Sequence, residues 1–153
     1  MTERNVSMLA GATARWGRQV RRNEQLMTVG YEADVMAKFI VEGHGPFYMR
    51  GMFTGMDDVD AQGEVPTGFG FVTFQDIKSG DELRGRVDWY LEEGRDKGTF
   101  HFEDGSGAWS GVQGELPVDL AFTTKEPGAP LNSGEPVEVM GFLEGTGRLS
   151  FDI

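Results

Sequence analysis

The sequence predicts an all-β fold: an eight-stranded antiparallel up-and-down barrel with a short N-terminal helix. Three observations predict it. From Tyr31 onward, apolar and polar residues alternate with a period of two in eight separate segments, the pattern of strands that bury one face. Most connections between these segments are short and rich in Gly, Asp and Ser, which favours hairpins and therefore a sequential strand order. The run from Gly98 to Leu116 places Gly105, Gly107, Gly111 and Gly114 around Trp109. Glycines so placed allow the close backbone approach and positive φ that a strongly coiled sheet needs at its corners.

In chain order, Met8, Ala12, Trp16 and Val20 recur at every fourth position of residues 7–22 and predict a helix. Arg15, Arg18 and Arg22 lie on another side of it, and Gly11 and Gly17 weaken it. The strands are expected at 31–41, 47–54, 68–76, 82–91, 97–103, 114–123, 136–143 and 146–152, with Trp109 on a further short strand. Turns fall at 43–45, 78–81, 93–96 and 144–147. The segments 55–67 and 124–135 are longer and more polar, and the prolines at 127 and 130 exclude the second from a central strand. Both are expected to be loops at a barrel mouth.

Strand 82–91 sets the register, because Leu83, Val87 and Trp89 alternate with Arg84, Arg86 and Asp88. Extending this alternation turns Phe39, Met49, Phe53, Phe100 and Phe122 inward. Phe69, Phe71 and Phe74 join Trp89 as interior aromatics, and Trp16 projects from the apolar side of the helix. These residues, Phe74 excepted, form the expected contact set for a small hydrophobic molecule. Gly51, Gly85 and Gly141 fall inward in mid-strand, which either hollows the interior or permits coiling against bulky neighbours.

Polar groups facing inward are the candidates for chemistry, since a buried polar group is either satisfied or used. Tyr31, Thr73 and Gln75 qualify in this register, and the opposite register would bring in Tyr48, Arg86, His101 and Glu138. Tyr31, Tyr48, Arg86, His101 and Glu138 are therefore the catalytic candidates. His101 would be the natural proton shuttle, although Phe100 and Phe102 on either side favour an outward position. Asp57-Asp58-Val59-Asp60 resembles a fragment of a calcium loop but lacks the following Glu, and reads as a solvated loop.

Composition narrows the function. A formal charge of -11 argues against nucleic acid or an anionic membrane as partner. With no cysteine, no apolar signal segment and no stretch long enough to span a bilayer, a cytoplasmic location is expected. His44 and His101 are distant in sequence and have no metal-ligand spacing, and the chain carries neither a nucleophile elbow, a P-loop nor a dinucleotide fingerprint. The expectation is that no cofactor and no metal are used.

The segment Gly105-Ser106-Gly107-Ala108-Trp109-Ser110-Gly111-Val112-Gln113-Gly114 resembles the Gly-x-Gly-x-aromatic-x-Gly-x-x-Gly motif of the allene oxide cyclase and dirigent-type β-barrels, a superfamily that includes bacterial polyketide cyclases. The run from Gly141 to Phe151 is similar to the final hairpin of such small bacterial barrels. The resemblance implies a single barrel domain over residues 1–153, an N-terminal segment over 1–25 that covers the cavity as a lid, and a homo-oligomer, either dimer or trimer. It places no catalytic residue. The function it implies is a cofactor-independent cyclase or isomerase of secondary metabolism, acting on an apolar polyene or polyketide inside the barrel. A lipocalin-like carrier, or a solid barrel with an assembly role, remains open at this point.

Overall fold

The computed structural model describes residues 2–152, and it is all-β apart from one 3-10 turn. Its strands are β1 (Thr2–Trp16), β2 (Val20–Arg21), β3 (Leu26–Val41), β4 (His44–Asp60), β5 (Thr67–Asp76), β6 (Glu82–Glu92), β7 (Arg95–Gly105), β8 (Gln113–Thr124) and β9 (Val137–Phe151). Every pairing is antiparallel, and β1 lies between β9 and β3. That double pairing closes an eight-stranded barrel, with the two-residue β2 as an extra strand beside β3. Closure leaves the long strands without free edges.

The expected N-terminal helix is instead β1, a strand of the barrel wall. A spacing of four is also a multiple of two, so Met8, Ala12 and Trp16 share a strand face as readily as a helix face. The intervening Ala10 and Ala14 lie on that same inward side, and the register runs unbroken from Val6 opposite Val41 to Trp16 opposite Tyr31. The long barrel pairing of β1 supplies backbone hydrogen bonds on both edges, which outweighs a helix propensity already lowered by Gly11. Residues 2–16 are therefore wall rather than lid.

The expected hairpin at Glu144–Gly147 is also corrected: β9 runs straight through it. Gly145 and Gly147 face inward at places where a Cβ would collide with the backbone of Pro117 and Glu115 on β8. These glycines permit close strand contact, so their turn-like composition has another cause. One strand missed and one strand split leave the total at eight.

The interior is packed along most of the axis. Phe39, Phe53, Phe74, Phe100 and Phe102 meet largely edge to face, with Phe39 and Phe74 at 5.1 Å between centroids. Trp109 lies on the 3-10 turn Gly107–Trp109, not on a strand, and plugs one barrel end against Phe39, Phe47 and Phe151. The three mid-strand glycines are accounted for by contact. Added Cβ atoms would meet the Phe74 ring at Gly51, the His101 carbonyl at Gly85 and the Ala121 carbonyl at Gly141.

The register of β5 differs from expectation. Gly68, Gly70, Val72 and Phe74 face inward, while Phe69, Phe71, Thr73 and Gln75 are exposed outside. The reason lies on β4 and β3, from which two polar side chains reach into the room that glycine leaves.

Candidate functional site

The two long loops, 61–66 and 125–136, meet at the barrel end opposite Trp109. Asn132 donates to the Ala61 carbonyl at 2.9 Å, and Gln19 ties the 17–19 segment to Leu131 and Gly134. Beneath them is a cavity of about 90 Å³. It exists because Ala12, Ala14 and Ala33 face one another across the β1–β3 pairing where other strands place large residues. Trp16, Phe53, Trp89, Phe122, Leu120 and Val139 form most of the remaining wall.

Among the polar residues on its lining, which include Tyr90, Asp96 and Lys97, the most deeply buried are Tyr31 and Asp57. Tyr31 donates its hydroxyl to the Phe69 carbonyl at 3.2 Å and accepts from the Trp89 indole at 2.9 Å. Its burial, and secondarily the nearby Asp57, push the phenol well above its usual range, so it is a neutral group that holds Trp89 in place. Asp57 on β4 lies opposite Gly68, and its side chain occupies the volume that a Cβ at 68 would fill. Tyr31 uses the space above Gly70 in the same way.

Asp57 is the unusual group. It is 7% exposed, and its Oδ1 is buried without a hydrogen-bond partner. Burial, reinforced by the charge of Asp58, pushes its pKa up to about 8, with the Trp16 indole opposing the shift. At neutral pH it is a protonated acid in a largely apolar cavity. Its neighbour Asp58 behaves oppositely: partial desolvation acts on it too, but hydrogen bonds from Thr28, Thr67 and Arg22 outweigh that and lower its pKa. Adjacent residues on one strand point to opposite faces, so one carboxyl is dry and the other is bound and ionised. Asp96, also lining the cavity, is raised by desolvation and by Glu64.

Of the catalytic candidates from sequence, only Tyr31 lines the cavity. Tyr48 is exposed on the outer face of β4, and Arg86 projects outward near Asp88. His101 is on the outer surface between Asp88 at 2.9 Å and Glu115 at 3.2 Å, and Glu138 pairs outside with Lys125 at 3.1 Å. Among the expected contact residues, Trp16, Phe53, Trp89 and Phe122 line the cavity. Phe39, Met49 and Phe100 are fully buried in the packed part, and Phe69 and Phe71 lie outside the barrel.

Asp57 was missed because its acidic run reads as a loop. The available signal was the alternation Phe53, Gly55, Asp57, Val59, which carries the inward face of β4 beyond residue 54. No protein-family model matches the chain, and no curated protein matches its sequence. Among the described residues, no three His, Asp or Glu side chains converge as a metal-binding group.

Proposed function

We propose that the protein is a cofactor-independent cyclase or isomerase that admits part of an apolar polyene or polyketide-like molecule to this cavity and sets a ligand carbonyl oxygen against Asp57. The observation that carries the reading is the buried, unpartnered Oδ1 of Asp57, a carboxyl whose pKa burial raises to about 8. A neutral carboxyl donates a hydrogen bond, and in an apolar site that bond strengthens most as negative charge develops on the acceptor. The indole of Trp89, locked by Tyr31, and the apolar walls would restrict the ligand to a reactive conformer. Such positioning contributes up to about 7–11 kcal/mol in favourable cases. The likeness of the Gly105–Gly114 segment to the allene oxide cyclase and dirigent-type barrels supports the same class.

A second reading is binding without turnover. The cavity, at about 90 Å³, is well below the roughly 300 Å³ at which drug-sized ligand pockets begin, which favours a small guest. One experiment separates the two. A small β,γ-unsaturated cyclic ketone and its matching hydrocarbon are titrated against the intrinsic fluorescence of Trp16 and Trp89. The ketone should bind about tenfold more tightly, as one hydrogen bond predicts, and Asp57→Leu should abolish that preference. Conjugation of the ketone, which needs a base to carry the α-proton to the γ-carbon, a role the Asp96 carboxylate on the cavity lining would fill, is followed by ultraviolet absorbance and distinguishes isomerase from carrier. Equal affinity for ketone and hydrocarbon in the wild-type protein refutes both uses of Asp57.

A further inference from the structure

We infer that the barrel end plugged by Trp109 holds a second binding site, one that takes the carboxylate of a small aliphatic acid. A cavity of about 40 Å³ lies there, lined by Arg4 and Trp109 together with Val41, Phe47 and Phe151, and by the exposed His44. It shares no lining residue with the cavity that holds Asp57.

Two hydrogen-bond donors on this lining are buried and find no acceptor among the described residues: Arg4 Nε and Trp109 Nε1. Trp109 is 1% exposed, and the rings packed on it, Phe39, Phe47 and Phe151, carry no oxygen for its indole to donate to. Buried donors are normally paired, and an orphan is costly to leave. Two orphans on one small cavity mark a place where a ligand supplies the acceptor.

Strand register brings Arg4 to this place. It shares the inward face of β1 with Val6 and Met8 and lies opposite Leu149 on β9, so the strand carries a charged side chain into the barrel end. Its Nη1 donates to the Glu42 carbonyl at 3.2 Å, which fixes the guanidinium. Arginine stays charged at any physiological pH, so only an anion can compensate it. The chain has 25 acidic side chains, yet Arg4 forms no ion pair among the described residues. The Glu42 carboxylate accepts from the Asn5 N–H at 3.1 Å, and the Asp152 carboxyl lies over Gly111.

These groups define the ligand class. A carboxylate accepts from a guanidinium and an indole at once, whereas a neutral carbonyl would leave the arginine charge uncompensated. The volume of about 40 Å³, against the roughly 10–15 Å³ that holds one water, suits a carboxylate head. Val41, Phe47 and Phe151 favour an alkyl chain behind it and disfavour the hydration shell of an inorganic phosphate.

Proton NMR of the full chain tests this, because each of its 3 Trp gives a separate indole N–H resonance. That of Trp109 is assigned through its contacts with the Phe39 and Phe151 rings. Sodium butyrate at constant ionic strength, taken to about 20 mM so that millimolar affinity is detected, should shift the Trp109 resonance downfield to saturation. The resonances of Trp16 and Trp89, in the other cavity, should stay in place. Butyramide and inorganic phosphate should each bind at least about tenfold more weakly, the first for want of a charge-assisted bond and the second for its misfit with apolar walls. Arg4→Met keeps the alkyl stem, removes the charge and should weaken butyrate by about tenfold or more. A Trp109 resonance that butyrate leaves unmoved in the wild-type protein overturns the inference. So does an equal response to butyramide or to phosphate, and so does a folded Arg4→Met protein that binds butyrate as the wild type does.

Discussion

Replacing Asp57 with Asn keeps the shape of the side chain and removes its titration, which isolates the cost of burying this carboxyl. In the folded protein burial pushes its pKa up to about 8, against 3.8 for an aspartate in water. Between those values the unfolded chain has released a proton that the folded chain still holds, so rising pH favours unfolding. The penalty begins near pH 4, grows by up to about 1.4 kcal/mol per pH unit, and levels off above pH 8. Its ceiling is roughly 6 kcal/mol, reduced by whatever water reaches the carboxylate once it ionises. Asp57→Asn has no such term, so its stability relative to the wild type should increase steadily across this window. Urea unfolding followed by circular dichroism, for both proteins from about pH 5 to pH 9, measures the difference directly. Other carboxylates titrate alike in the two proteins and cancel. If the two stability curves run parallel through pH 8, Asp57 is not a buried neutral acid and the argument for the site fails.

The same titration reaches the ligand: affinity for the ketone probe should decline as pH rises through about 8, where Asp57 loses the proton it donates, and affinity for the hydrocarbon should not. Tyr31→Phe removes the acceptor of the Trp89 indole and should cost about 1–3 kcal/mol in urea unfolding, with a shift in Trp emission that an unconnected pair would not show. Gly70→Ala sets a methyl group against the Tyr31 hydroxyl and should destabilise by about 1–3 kcal/mol; a neutral result would mean that β5 can withdraw. His101→Gln acts only on surface pairs with Asp88 and Glu115, so it should change stability by less than about 1 kcal/mol and leave ketone affinity untouched; loss of binding would restore it as a site residue.

Legibility along the chain followed the physics of each segment. Strand 82–91 was clear because its inward residues are large and its outward ones charged. Residues 7–16 were ambiguous, since alanines between Met8, Ala12 and Trp16 hide the period of two that a bulkier residue would have revealed. Strand β5 inverted the usual preference, with Phe69 and Phe71 outside and glycines inside, because Asp57 and Tyr31 fill the interior above Gly68 and Gly70. The inward register placed Tyr31 where it does line the cavity, while the inward position of Asp57 was obscured by its acidic neighbours.

The sequence alone determined that the chain is built of antiparallel strands joined by tight turns, with glycine-lined corners suited to closure. Period and turn chemistry are local properties, and they survive without knowledge of neighbours. The tertiary structure decided that residues 2–16 complete the wall, that β5 faces its phenylalanines outward, and that Asp57 is held protonated. Each of these depends on which side chains remote strands bring alongside, and burial, unlike periodicity, belongs to the assembled barrel rather than to any segment of it.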